Sequence, residues 1–253
     1  MNITQKEWRS YAKRLEQVNK KASDLVFSYI EKYGLDDRNA LIKYAYGVVQ
    51  KYGNASASLN ALMYDTIAEL EKLPLAAAQL AELPTYSDVA IAINGTMKTS
   101  VNPNEIAGSV SRLVKQTGED TMLYNAKRDG AEAAWIPEGG ETCAFCIMLA
   151  SRGWEEVSKN ALKTGHAEHI HSNCECTYMV RHTSNLSVKG YDPDKYKKMY
   201  DDAEGSNYKE KLNSMRREFY AENKEEINEQ KRIAYGQRVE ELNSSAAEET
   251  VIN

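Results

Sequence analysis

The sequence predicts a mainly α-helical protein with a small α+β region at its centre. A long N-terminal helix and a helical bundle precede that region, and charged helices follow it. Three observations carry this reading. Apolar residues recur at helical spacing through most of residues 1–129. Near Gly130 the pattern gives way to short β-leaning runs, glycine turns and all four cysteines. From Asp194 to about Leu242 densely charged helical sequence returns. The expected division is a helical domain over 1–129, an α+β region over 130–190, and a charged helical segment over 191–253 with a frayed tail.

Taken in order, Thr4 and Glu7 have the spacing of a capping box. Behind them Trp8, Tyr11, Leu15, Val18, Ala22, Leu25 and Tyr29 form a heptad-like stripe, and Gly34 ends the helix. A second helix is expected from about Asp37 to Tyr52, with Leu41, Tyr44, Ala45 and Val48 inward and a break at Gly53-Asn54. A third covers Ser56 to Leu73, with Leu59, Leu62, Met63, Ile67 and Leu70 at helical spacing, and Pro74 stops it. Leu75 to Leu83 reads as a short helical piece closed by Pro84. Further helices are expected over Asp88–Met97 and Glu105–Arg128, the latter opened by Asn102-Pro103. Ala131–Ile136 and Thr177–Arg181 read as strands, and Gly190-Tyr191-Asp192-Pro193 as a turn. The last helical stretch breaks near Gly205, and Tyr208, Leu212, Met215 and Phe219 give it a thin apolar stripe.

Composition bounds the function. With 253 residues, 42% of them apolar and 27% charged, the chain buries an ordinary soluble core. A net charge of −5 argues against a general attraction to nucleic acid or anionic membrane. The N-terminus has no signal-peptide pattern, and no apolar run reaches transmembrane length. A reducing cytoplasm is the expected place of synthesis, where clustered cysteines point to metal rather than disulfides. The 16 Tyr against 3 Phe hint at interfaces.

The chemistry sits in Cys143-Ala144-Phe145-Cys146, then His166, then His169-Ile170-His171-Ser172-Asn173-Cys174-Glu175-Cys176. A tight C-x-x-C turn brings two thiolates to one side, and C-x-C preceded by H-x-H can close a tetrahedral site from a second arm. Zinc suits mixed sulfur and nitrogen ligation. The candidate ligands are Cys143, Cys146, His171, Cys174 and Cys176, with His169 a sixth; an ion takes four, and spacing does not choose among them. Buried free thiols, a disulfide formed after assembly, and a catalytic site using Glu168 or Glu175 as base are the other readings. The polar segment between the arms is expected to need the ion to pin it, and the ion to set the angle between the helical halves. Trp135 and Trp154 are expected to pack around the knuckle. Lys195, Lys197, Lys198, Lys209, Lys211, Arg216 and Arg217 form a locally basic stretch, a solvated face or a contact for packaged DNA.

At these residues the chain resembles the minor capsid (minor head) proteins of tailed bacteriophages, including the Mu-F-like head morphogenesis group. Cys143-Ala144-Phe145-Cys146-Ile147-Met148-Leu149-Ala150-Ser151-Arg152-Gly153 is similar to their first arm. His169, His171, Cys174 and Cys176 match the two histidines and C-x-C of the second, and the Gly190–Pro193 turn is also familiar from such proteins. Ser172 stands where many members of the Mu-F-like group have proline, and Ser151-Arg152-Gly153 where an acidic-glycine turn often follows. The resemblance implies a structural virion component in the capsid interior or at the portal vertex, present in the host cytoplasm during assembly. It implies portal or major capsid protein as partners, with packaged DNA as a further contact, and a role in head morphogenesis, DNA packaging or delivery. No appended enzymatic activity is expected, because the residues after Cys176 are few, helical and charged. The alternative is a zinc-dependent hydrolase or nuclease using the same Cys/His cluster.

Overall fold

Local signals in the first forty residues already set two helices. Thr4 Oγ1 accepts from Glu7 N–H at 3.2 Å and the Glu7 carboxylate accepts from Thr4 N–H at 2.9 Å, so both ends of the capping box close. Helix α1 (Gln5–Tyr33) follows and stops at Gly34, whose φ of 72° lets its N–H reach Ile30 O at 2.8 Å. Asp37 accepts from Ala40 N–H and opens α2 (Arg38–Leu70). A second capping box, Thr85 with Asp88, opens α3 (Tyr86–Met97). Asn102 and Pro103 open α4 (Pro103–Asp129), which ends at the left-handed Gly130. The computed structural model describes residues 2–138, 142–157, 174, 176–225, 228–229 and 232. These form a mainly α fold with a small α+β region.

Helices α1, α2 and α4 pack on one another, and α3 packs on α2 and α4. Ala22, Val26, Ile30, Leu41, Val49, Ile93, Ile106 and Val110 are among the residues of their shared core. The buried line on α1 departs from the heptad stripe: Val26 and Ile30 are buried, while Leu25 and Tyr29 are only partly so. A straight helix of 3.6 residues per turn drifts away from a seven-residue repeat, which explains the slide.

Gly53-Asn54 does not break the chain; α2 runs through it for 33 residues. A Cβ on Gly53 would stand 3.1 Å from Leu83 Cδ2, so the glycine serves close packing rather than termination. The inward face of the second half of α2 keeps Ile67 of the expected stripe but is otherwise shifted. Ala57, Asn60, Ala61, Tyr64, Ile67 and Ala68 are buried, whereas Leu62 is 59% exposed. Small residues face inward because α4 lies close at Gly118.

The expected helix over Leu75–Leu83 is not formed. Residues 73–84 run as an irregular strap whose main chain is bonded by side chains of α2 and α4. Ala78 N–H donates to Asp65, Ala81 N–H to Thr121, and Gln79 exchanges two bonds with Asn125 at 2.9 and 2.7 Å. Arg128 donates to the carbonyls of Ala76 and Ala77, and Gln50 to that of Pro84. These partners satisfy groups that a helix would have paired internally.

Strand β2 (Glu132–Ile136) forms the centre of an antiparallel sheet, between β3 (Glu155–Glu156) and β4 (Thr177–Arg181), with Ala134 opposite Met179. Between β2 and β3 lies α5 (Ala144–Ala150). The short strand β1 (Asn2–Ile3) pairs in parallel with β5 (Ser187–Val188), a pairing that composition did not signal. Helices α6 (Pro193–Asp202) and α7 (Tyr208–Glu222) complete the described elements.

The chain divides into two compact units, Met1–Met199 and Tyr200–Asn253. In the second, Asn207 caps α7 through Lys209 and Glu210 N–H, and Lys211 Nζ donates to the carbonyls of Tyr200 and Asp201. That ammonium thus sits on the carbonyls ending α6. No helix among the described residues is long and apolar enough to cross a membrane.

Candidate metal centre

The C-x-x-C arm is built at a helix start. Cys143 is extended, with φ −67° and ψ 156°, and its Sγ accepts from Cys146 N–H at 3.4 Å in the N-cap position of α5. The next turns bury Ile147, Met148, Leu149 and Ala150, and Val157 beyond β3 is buried too. The front of the inter-arm segment therefore anchors itself by apolar packing and strand pairing, contrary to the expectation that only an ion holds it. Tyr191, in the glycine-proline turn, donates to Ala150 O at 2.8 Å and pins the other end of α5.

The C-x-C arm leads into β4, so the 133–136 to 177–180 pairing with β2 fixes its direction. Cys146, Cys174 and Cys176 are buried together, with their sulfurs all within 4.8 Å of one another. Cys146 and Cys174 Sγ are 3.3 Å apart. A disulfide would need about 2.05 Å, and all four cysteines are free thiols. Tetrahedral zinc with Zn–S of about 2.3 Å sets neighbouring sulfurs about 3.8 Å apart, within reach of a small χ1 rotation. Hydrogen bonds with Cys143, then Cys174 and Cys176, together with burial, push the Cys146 thiol far up. Cys176 is also raised: a bond with Cys146 lowers it, but the bond with Cys174 and burial outweigh that. Crowded thiols of this kind become thiolates only when a cation replaces their protons. The donor set fits a soft divalent ion.

Cys143 is half-buried and joins the group through Cys146. His171, like His166, His169, Glu168 and Glu175, lies outside the described residues. Trp135 is buried, edge-on to Tyr178 at 4.7 Å. Trp154 lies under the Arg181 guanidinium at 4.6 Å, and Arg181 pairs with Glu132 across the strands at 2.6 Å. Both tryptophans pack around the knuckle.

Sequence reasoning missed two residues on α4. Lys115 Nζ donates to Cys174 O at 2.6 Å and to Cys176 O, and lies 5.4 Å from the Trp135 ring centroid. One turn on, Glu119 accepts from Thr177 Oγ1 at 2.7 Å and Tyr178 N–H at 2.9 Å. Burial raises the Glu119 carboxyl to about 7, against the opposing pull of Lys115 and the two bonds. The available signal was their alignment with Ser111 and Met122, steps of four, four and three residues along a line that is otherwise uncharged.

A family model, described as VG15 protein, matches residues 2–203. The chain belongs to the VG15 family. This is a viral (phage) gene-protein family, and the match spans α1 to α6 and both cysteine arms. No curated protein and no solved structure matches the chain. The VG15 match and the thiol cluster thus occupy the same part of the molecule.

Proposed function

We propose that this VG15 protein is a structural minor capsid protein of a tailed phage, acting at the portal vertex or inner capsid surface in head assembly, DNA packaging or delivery. The observation that carries the reading is the buried thiol cluster, joined from C-x-x-C and C-x-C arms within a chain of a phage family. The cluster holds one structural zinc, with Cys143, Cys146, Cys174 and Cys176 as ligands and His171 the alternative to one of them. Bound zinc supplies charge and a rigid four-point link; it ties α5 to the arm that enters β4. A cage is favoured over a hydrolytic centre because these three sulfurs are buried. The cavity that reaches Cys174 has a volume of only about 10 Å³, room for one water rather than a substrate. Arg216 and Arg217, both exposed on α7, are the proposed contacts for packaged DNA. Co-purification with the phage portal protein, and presence in purified virions by mass spectrometry, are the expected results. A chain missing from purified virions would overturn the proposal.

A further inference from the structure

Thiolates around a divalent ion leave the site negative: four give a net charge of −2, three with an imidazole −1. Such charge in a buried pocket is costly unless a fixed cation faces it. Lys115 is the one buried lysine or arginine among the described residues, and its ammonium is seated on the carbonyls of two of the cysteines in the cluster. Four residues on, Glu119 holds the next two groups of the same arm, the Thr177 hydroxyl and the Tyr178 amide. One helix face therefore grips the arm twice, once through an ammonium and once through a carboxyl group.

We propose that Lys115 is the charge-balancing and positioning residue of the metal centre, offsetting the thiolate charge while it fixes the carbonyls of Cys174 and Cys176. The inference rests on the metal-centre reading above. It differs from a purely mechanical bolt in one respect. A bolt makes Lys115 and Glu119 equivalent, since each bonds two groups of the arm. Charge balance makes them opposite, since only loss of the cation leaves the thiolates uncompensated.

The test uses the full chain, stripped of metal under reducing conditions and titrated with Co(II). Sulfur-to-cobalt charge-transfer absorption reports the ligands, and far-UV circular dichroism reports the fold. Lys115→Gln keeps a donor without charge, and Lys115→Met removes both. Each is expected to weaken Co(II) binding at least about tenfold, the usual scale for residues supporting metal ligands, with the same absorption per bound ion. Glu119→Gln is expected to bind Co(II) no more weakly than the unaltered chain. Equal affinity in the Lys115 variants, equal weakening by Glu119→Gln, or loss of fold in both Lys115 variants despite added metal would overturn the assignment. If the unaltered chain shows no sulfur-to-cobalt band, the metal-centre reading falls and this inference falls with it. Binding by the unaltered chain without a Lys115 effect removes the inference alone.

Discussion

Gly118 occupies a place with no room for a side chain. A Cβ there would stand 2.3 Å from Ser56 Oγ and 2.4 Å from Asn60 Nδ2. Asn60 does not retreat easily, because it donates to Ser56 O at 3.0 Å and accepts from the Tyr11 hydroxyl at 2.8 Å. Overpacking costs about 1–3 kcal/mol, while alanine gains about 1 kcal/mol over glycine inside a helix. The clash wins, and Gly118→Ala is expected to lower Tm by about 3–6 °C in thermal denaturation. An unchanged Tm would mean that α2 and α4 are not in contact here. Asp120, one turn from Tyr124, poses an electrostatic question. Burial raises its carboxyl from the usual 3.8 to about 6. The folded state thus holds a proton that the unfolded state has released between those values, so this group's penalty is full above pH 6 and is relieved as pH falls toward 4. Asp120→Asn is expected to raise stability at pH 7 by up to about 3 kcal/mol and to remove that part of the pH dependence. Denaturant titrations at pH 4 and pH 7 measure both effects.

At the scale of elements, most caps were legible and the strap was not. Thr4, Gly34 and Asn102 mark helix ends through local bonds that depend on a few adjacent residues, whereas the Thr85–Asp88 box was passed over and that helix starts at Tyr86 rather than Asp88. Thr177–Arg181 was readable as a strand because its residues favour β structure and turns bound it. Leu75–Leu83 is rich in leucine and alanine, so propensity favours a helix; its actual form depends on Asp65, Thr121, Asn125 and Arg128, which are distant in sequence. Gly53 misled for the same reason, since its close neighbour is Leu83 on that strap. The site divides the same way. C-x-x-C and C-x-C announce themselves by spacing, whereas Lys115 and Glu119 acquire meaning only once α4 lies behind the arm. Asn125→Ala would leave the Gln79 amide and carbonyl without partners, at a cost of about 2–3 kcal/mol. Hydrogen exchange is expected to show faster exchange at Gln79 and Ala81 with little change at α1 amides. Uniform acceleration across the chain would mean that the strap is not a separate local unit.

At the scale of the whole molecule, the VG15 match covers residues 2–203 and includes the helices α1 to α4, the sheet and the cysteine arms. Helix α4 links these parts. It contributes to the helical core through Ile106 and Val110, to the strap through Thr121 and Asn125, and to the cysteine arm through Lys115 and Glu119. An ion at the cluster would join α5 to an arm already held on α4, so the helical half and the metal centre are expected to stabilise one another. X-ray absorption at the zinc edge on the purified chain tests this most directly. One zinc per chain with three or four sulfurs at about 2.3 Å is the expected result; absence of stoichiometric zinc, or a shell of nitrogen and oxygen alone, would contradict the metal centre.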